Sequence, residues 1–198
     1  VKKQRGELDV AVEGYEEAKA IFERTGTLHT ADGARLLMNI ANANAQRGQL
    51  EVALEGFESV RRILVETGTM ETPEGASLLM NIAITKRRRK DLGGALAGYD
   101  AAKAIYERMG MLETPEGARL LANIAVARAQ CGNLSSALDG FEEAKRIRER
   151  TGTLDTAEGK SLLKNIALAT KRHDSYKQPA AEVAEAGAAG AAGTTDNV

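Results

Sequence analysis

The sequence predicts an all-α solenoid: about eight helices in antiparallel pairs, strung along one continuous core. Three observations predict it. The stretch from Thr114 to Gly152 reappears 42 residues earlier as Thr72 to Gly110, and again as Thr30 to Gly68. Half a copy precedes these and another half follows. Each copy carries apolar residues at helical spacing in two runs, with turn residues between them. Fixed-period self-similarity of this length marks an array in which each unit buries its apolar face only against its neighbours.

In chain order, residues 1–6 read as the end of a first helix of the unit, cut short, and residues 7–24 as a second helix. Gly26 follows where a left-handed backbone closes a helix, and Gly68, Gly110 and Gly152 repeat it. The loops TGTLHTADG, TGTMETPEG, MGMLETPEG and TGTLDTAEG come next. Thr30, Thr72, Thr114 and Thr156 can cap the next helix through the side-chain oxygen. Pro73 and Pro115 fit the first helical position, where the missing N–H costs nothing. Asp32, Glu74, Glu116 and Glu158 place negative charge at the positive helix end. First helices are expected at 32–47, 74–89, 116–131 and 158–173, and second helices at 49–66, 91–108 and 133–150. The units are then a partial one at 1–29, full ones at 30–71, 72–113 and 114–155, and a terminal helix at 156–173. Pro179 falls where other copies have Ala53, Ala95 and Ala137, which argues against a further second helix. The Ala/Gly-rich stretch 174–198 reads as a mobile tail with at most a turn or two of helix.

The second helices carry Gly14, Gly56, Gly98 and Gly140 in their interiors. Glycine there costs roughly 0.5–1 kcal/mol relative to alanine. Four copies of that cost predict a close backbone approach along this stripe, most simply by a helix of the same array.

The bulk composition excludes several classes. The single cysteine, Cys131, allows no internal disulfide. No apolar run approaches the length of about 18 residues that a membrane helix needs. His29, His173 and Cys131 stand apart from one another, and no metal spacing, phosphate loop or nucleophile motif occurs. The expectation is a non-enzyme with no cofactor and no metal. Because the chain starts at Val1 part-way through a repeat, upstream residues are expected to be missing or removed. The compartment is expected to be cytoplasmic, or organellar with a targeting segment absent from this chain.

The spacing Leu37-x2-Ile40-Ala41 followed by Ala53-x3-Phe57 recurs as Leu79, Ile82, Ala83 with Ala95 and Tyr99. It recurs again as Leu121, Ile124, Ala125 with Ala137 and Phe141. This resembles the tetratricopeptide repeat (TPR), whose usual period is shorter, about 34 residues. The longer loop and the phrase LLxNIA look like the kinesin-light-chain subgroup. The resemblance covers residues 7–173 and implies a right-handed superhelix whose first helices line a concave groove. It also implies, for function, protein binding, with a motor-cargo adaptor role as one form. The chain departs from the family in two ways. Asn44, Lys86, Arg128 and Thr170 replace the usual aromatic of the first helix, and no proline closes the second. Looser packing is expected beside those polar residues.

On a helical wheel at about 100° per residue, Arg35, Asn39, Asn42 and Gln46 fall opposite the core stripe. Asparagine holds one position in every copy: Asn39, Asn81, Asn123 and Asn165. A row of amides, each both donor and acceptor, can hold an extended peptide by its backbone. It can equally tie neighbouring units together.

The charge is segregated. Net charge is −1, yet the first helices beyond their capping turns hold 12 of the 27 basic residues and none of the 28 acidic ones. A wall of one sign focuses the field and attracts the opposite charge. The partner-binding candidates are therefore Arg35, Asn39, Asn81, Lys86, Arg87, Arg88, Arg119, Asn123, Arg128, Lys164, Asn165, Lys171 and Arg172. Their expected partner is a protein or peptide, acidic or extended. Nucleic acid is disfavoured, because no aromatic residue lies in these helices to stack a base. A permanent subunit of a large complex is the alternative role.

Overall fold

The computed structural model describes the backbone of residues 2–191 and the side chains of residues 8–176. The described residues form eight helices and no strand: α1 (Lys2–Thr25), α2 (Ala31–Arg47), α3 (Leu50–Glu66), α4 (Pro73–Arg88), α5 (Leu92–Arg108), α6 (Pro115–Gln130), α7 (Leu134–Arg150) and α8 (Ala157–Ala191). Helices α2, α4, α6 and α8 are first helices of their units. Helices α1, α3, α5 and α7 are second helices.

The first helices begin as the capping residues dictate. The hydroxyls of Thr30, Thr72, Thr114 and Thr156 accept the N–H of Gly33, Gly75, Gly117 and Gly159 at 3.2–3.5 Å. Each hydroxyl also donates back into its loop, to the carbonyl of Thr27, Thr69, Met111 or Thr153. One residue in left-handed conformation makes each first-to-second turn: Gly48 (φ 86), Lys90 (φ 70) and Gly132 (φ 87). The next N–H then donates back to the carbonyl of Asn44, Lys86 or Arg128, at 3.0 Å in each case, which closes the helix end.

At both ends of the array this turn is not made. The 42-residue period puts Gly6 and Asp174 on the turn position, and the helix runs straight through both. Residues 2–6 are therefore the first turn of α1, not the end of a separate helix. A separate helix of five residues is marginal by itself, so continuing into α1 keeps more of its backbone bonded. The helix expected to end at residue 173 continues to Ala191, past Pro179, which has no N–H to donate four residues back. Helical backbone thus occupies most of the stretch read as a tail, and residues 192–198 lie outside the described residues.

Within each unit the helix pair packs at very short range. A Cβ on Gly56 would lie 3.0 Å from Ala41 Cβ, on Gly98 3.1 Å from Ala83 Cβ, and on Gly140 3.3 Å from Ala125 Cβ. Gly56, Gly98 and Gly140 therefore serve helix pairing within the array, whereas a Cβ on Gly14 would meet nothing within 4 Å, so the close approach expected there is not made. Phe57, Tyr99 and Phe141 fill the space beside them and are fully buried. The core runs through three linked clusters that span units, as in Ala76 and Tyr99 with Leu120 and Ile124 of the next. Between α1 and α3 a cleft of about 400 Å³ reaches down to Leu37, Ile40 and Asn44. This open space lies where a polar residue replaces the usual aromatic.

First helices of successive units touch: α2 with α4, α4 with α6, and α6 with α8. Among the described residues, no two second helices do. The array therefore curves with its first helices on the inside.

Candidate partner-binding face

The inner face follows the wheel in its first half. Arg35, Asn39 and Gln46 are exposed, and Asn42 is half-buried. Asn81, Asn123 and Asn165 are half-buried in the same row. Asn81 donates through Nδ2 to Met38 Sδ in the preceding unit at 3.6 Å. That amide ties two units together. The other three side chains remain available on the face.

The basic residues divide into two groups. Three, Arg35, Arg88 and Arg128, have partners inside the chain, and Arg87 packs beside a buried tyrosine. Arg88 donates to the Ala45 carbonyl in the last turn of α2, which also accepts the Gly48 N–H, at the helix end that carries partial negative charge. Arg128 Nη1 donates to Ser136 Oγ at 3.1 Å. Arg87 lies beside Tyr99, whose phenol is pushed above its ordinary value by burial while the guanidinium acts the other way. Tyr99 Oη and Arg87 Nε nonetheless stay buried with no partner at hydrogen-bonding geometry. Arg35 pairs with Asp32 of its own helix at 2.6 Å, with both side chains largely exposed. Arg119 is half-buried beside Tyr106, where burial again raises the phenol. Lys86 is half-buried. On α8 the arrangement is different. Lys164, Lys171 and Arg172 are exposed and make no ion pair among the described residues. The inner stripe of α8 also exposes Leu168, at 62%.

Three features lie outside the wheel. Arg148, from a second helix, is 4% exposed. Its Nη1 reaches Thr153 O and Thr156 Oγ1, each at 3.4 Å. Leu64 and Tyr106 hold the same repeat position. Where that residue is Leu64 and Ser77 faces it, a cleft of about 430 Å³ opens between α2 and α4, with Arg35 and Met38 on its wall. The next unit has Tyr106 and Arg119 at those two positions. The third feature is the row Gly33, Gly75, Gly117 and Gly159, where a Cβ would lie 2.0–2.1 Å from a loop carbonyl oxygen. A column-by-column comparison of the copies is the signal that finds all three.

At the start of α8, its own backbone N–H chiefly holds the Glu158 carboxyl below its ordinary range. Among the described residues, no helix is long and apolar enough to cross a membrane, and no three metal-ligating side chains cluster.

No protein-family model matches the chain, and no curated protein matches it. Solved structures do. One is BtubC (BKLC) from P. vanneervenii, with a TM-score of 0.66 and 16% identity over 100% of this chain and 94% of that one. Another is a putative kinesin light chain from Podosopora anserina with nearly identical TPR-like repeats, with a TM-score of 0.70 and 22% identity over 98% and 92% of the two chains. A point variant of that protein gives 0.71 and 22% over 92% and 85%. This chain has the fold of these structures, a TPR-like all-α solenoid.

Proposed function

We propose that this TPR-like solenoid is a protein-interaction scaffold whose inner face takes an extended, acidic segment of a partner. The observation that carries the reading is the charge of the inner layer, with 12 basic and no acidic residues in the first helices beyond their capping turns. The exposed amide of Asn39 and those of Asn123 and Asn165 suit the backbone of an extended chain. Leu168, Ile84 and Val126 on the same stripe suit apolar side chains between its carboxylates. Because the Arg88 and Arg128 guanidiniums have internal partners, the cations proposed to meet the partner are Arg119 and Arg172 together with Arg35, whose pair with Asp32 is solvent-exposed and therefore weak, with Lys164 and Lys171 adding to the field. The names of the solved relatives suit a motor-adaptor role through shared fold alone, so the basic inner face decides the reading.

The test is binding of labelled extended peptides of matched length, carrying either glutamates or lysines between apolar residues. Glutamate peptides should bind and be released by salt, since these charges sit at a solvated surface. The triple variant Arg35→Glu, Arg119→Glu, Arg172→Glu should lose that binding and keep its helical signal. Equal binding of lysine peptides, or unchanged binding by the triple variant, would refute the proposal.

A further inference from the structure

The space where one unit meets the next is filled differently along the array. The repeat position of Leu64 carries Phe22, Tyr106 and Arg148 in the other copies, and that of Ser77 carries Arg35, Arg119 and Ser161. Leu64 with Ser77 is the smallest of these pairs, and it lies between α2 and α4, inside the array. One unit further on, Tyr106 and Met80 belong to one core cluster, and Met80 is 0% exposed. Met38 holds the same repeat position as Met80, yet it stays half-buried on the wall of the cleft of about 430 Å³. The cleft is therefore open where the chain's own tyrosine fills the next step.

Its walls suit an aromatic ring. Met38, Val60, Leu64 and Pro73 supply apolar surface, and a thioether makes favourable contacts with rings. The Asn81 amide holds the Met38 sulfur in place at 3.6 Å. The volume falls within the range of small-molecule sites, which are mostly apolar with a few polar groups. The rim carries one charge of each sign, because Arg35 and Glu74 both line the cleft and both are exposed. The Arg35 pair with Asp32 lies in solvent, so another carboxylate can compete for the guanidinium. Glu74 makes no ion pair among the described residues.

We propose that the cleft between α2 and α4 binds a free aromatic amino acid, with its ring against Met38, Val60 and Leu64, its carboxylate at Arg35 and its ammonium at Glu74. Such a zwitterion matches the apolar wall and both rim charges at once. Arg119 and Arg172 lie outside the cleft, so this site and the acidic-peptide face can fail separately.

Isothermal titration of the full chain with free phenylalanine and free tyrosine tests this. N-acetyl-phenylalaninamide, which keeps the ring and loses both charges, and alanine, which keeps the charges and loses the ring, are the controls. Both aromatic amino acids should bind at one per chain, and the two controls should not. Arg35→Gln and Glu74→Gln should each weaken binding about tenfold, the effect of losing one hydrogen bond to a charged group. Leu64→Tyr copies the next unit, so it should fill the cleft and abolish binding without lowering the thermal midpoint. A wild-type chain that binds neither aromatic amino acid would overturn the proposal. Equal binding of the blocked phenylalanine would also overturn it, because the cleft would then fit a side chain within a peptide. Glu74 is exposed and outside the core, so unchanged affinity in Glu74→Gln overturns the proposal even if Leu64→Tyr fails to fold.

Discussion

Gly117→Ala should destabilise the protein strongly, although alanine is the better helix former. Gly117 sits in the first turn of α6, and a Cβ there would lie 2.1 Å from the Leu112 carbonyl oxygen and 2.6 Å from its carbon. Both are backbone atoms in the loop that leads into the helix, so no side-chain rotation relieves the contact. The loop is held on its other side by the Thr114 hydroxyl, which donates to Met111 O at 2.7 Å. Moving the carbonyl away therefore strains the helix cap as well. Overpacking of this kind costs typically 1–3 kcal/mol, and a backbone clash lies at the upper end, about 3 kcal/mol. The helix-propensity gain of roughly 0.5–1 kcal/mol offsets only part of it. The net loss is about 2 kcal/mol, which lowers the midpoint by roughly 4–8 °C in a chain of this size. Gly93→Ala is the control, because nothing lies within 4 Å of a Cβ there. Urea unfolding followed by circular dichroism measures both. If Gly117→Ala proves as stable as Gly93→Ala, the loop does not press on the helix start as described.

Lys90 is the non-glycine residue in left-handed conformation among those described, at φ 70, where two other units have glycine. Lys90→Gly should therefore raise stability by about 1 kcal/mol in the same urea assay. Tyr99 carries a buried hydroxyl without a hydrogen-bond partner, and Phe57 and Phe141 hold its repeat position. Tyr99→Phe should gain about 1 kcal/mol at neutral pH. Its phenol is raised in the folded state, chiefly by burial. The fold therefore keeps its stability below the ordinary tyrosine value of about 10 and loses part of it as pH rises from there through the folded value, because the phenolate is disfavoured where it is buried. Alkaline melts should show a shallower decline for Tyr99→Phe than for wild type. Glu158 titrates the other way, because its folded value is lowered. Its contribution is present above the ordinary glutamate range and lost as pH falls through the folded value, so Glu158→Gln should flatten the acid limb of the same melts.

Most of the fold was legible in the sequence because it is built from local rules repeated at one period. The four threonine caps, the closing glycines and the prolines at helix starts act within a few residues, and the structure has each helix start within one residue or so of them. The ends were less legible. Gly6 and Asp174 carry the period, and the period says that a turn belongs there. A turn, however, is stable only when the next helix has something to pack on, and that is a property of neighbours. The close-contact glycines split the same way. Gly56, Gly98 and Gly140 stand out by their cost in mid-helix, a signal that Gly14 shares without the contact. Gly33, Gly75, Gly117 and Gly159 lie in a first turn, where composition alone gives no warning.

The candidate face was legible only as an angle. A wheel fixes where Arg87, Arg88 and Arg128 point around their own axis, but not what the neighbouring helix offers within reach of a long side chain. Arg88 finds the α2 carboxyl-terminal carbonyl and Arg128 finds Ser136. Such bonds compete with any partner for the same guanidinium. The charge left for a partner therefore lies mostly towards α8, where Lys164, Lys171 and Arg172 are exposed. Arg172 and Leu168 belong to its inner stripe, whereas Leu163 and Ala167 belong to the stripe that the internal pairs bury. Ala167→Glu should accordingly leave acidic-peptide binding within about threefold of wild type, a difference below roughly 1 kcal/mol. Peptide binding lost in that variant would mean that the two stripes form one surface, and the separation of the inner stripe from the pairing stripe would fail.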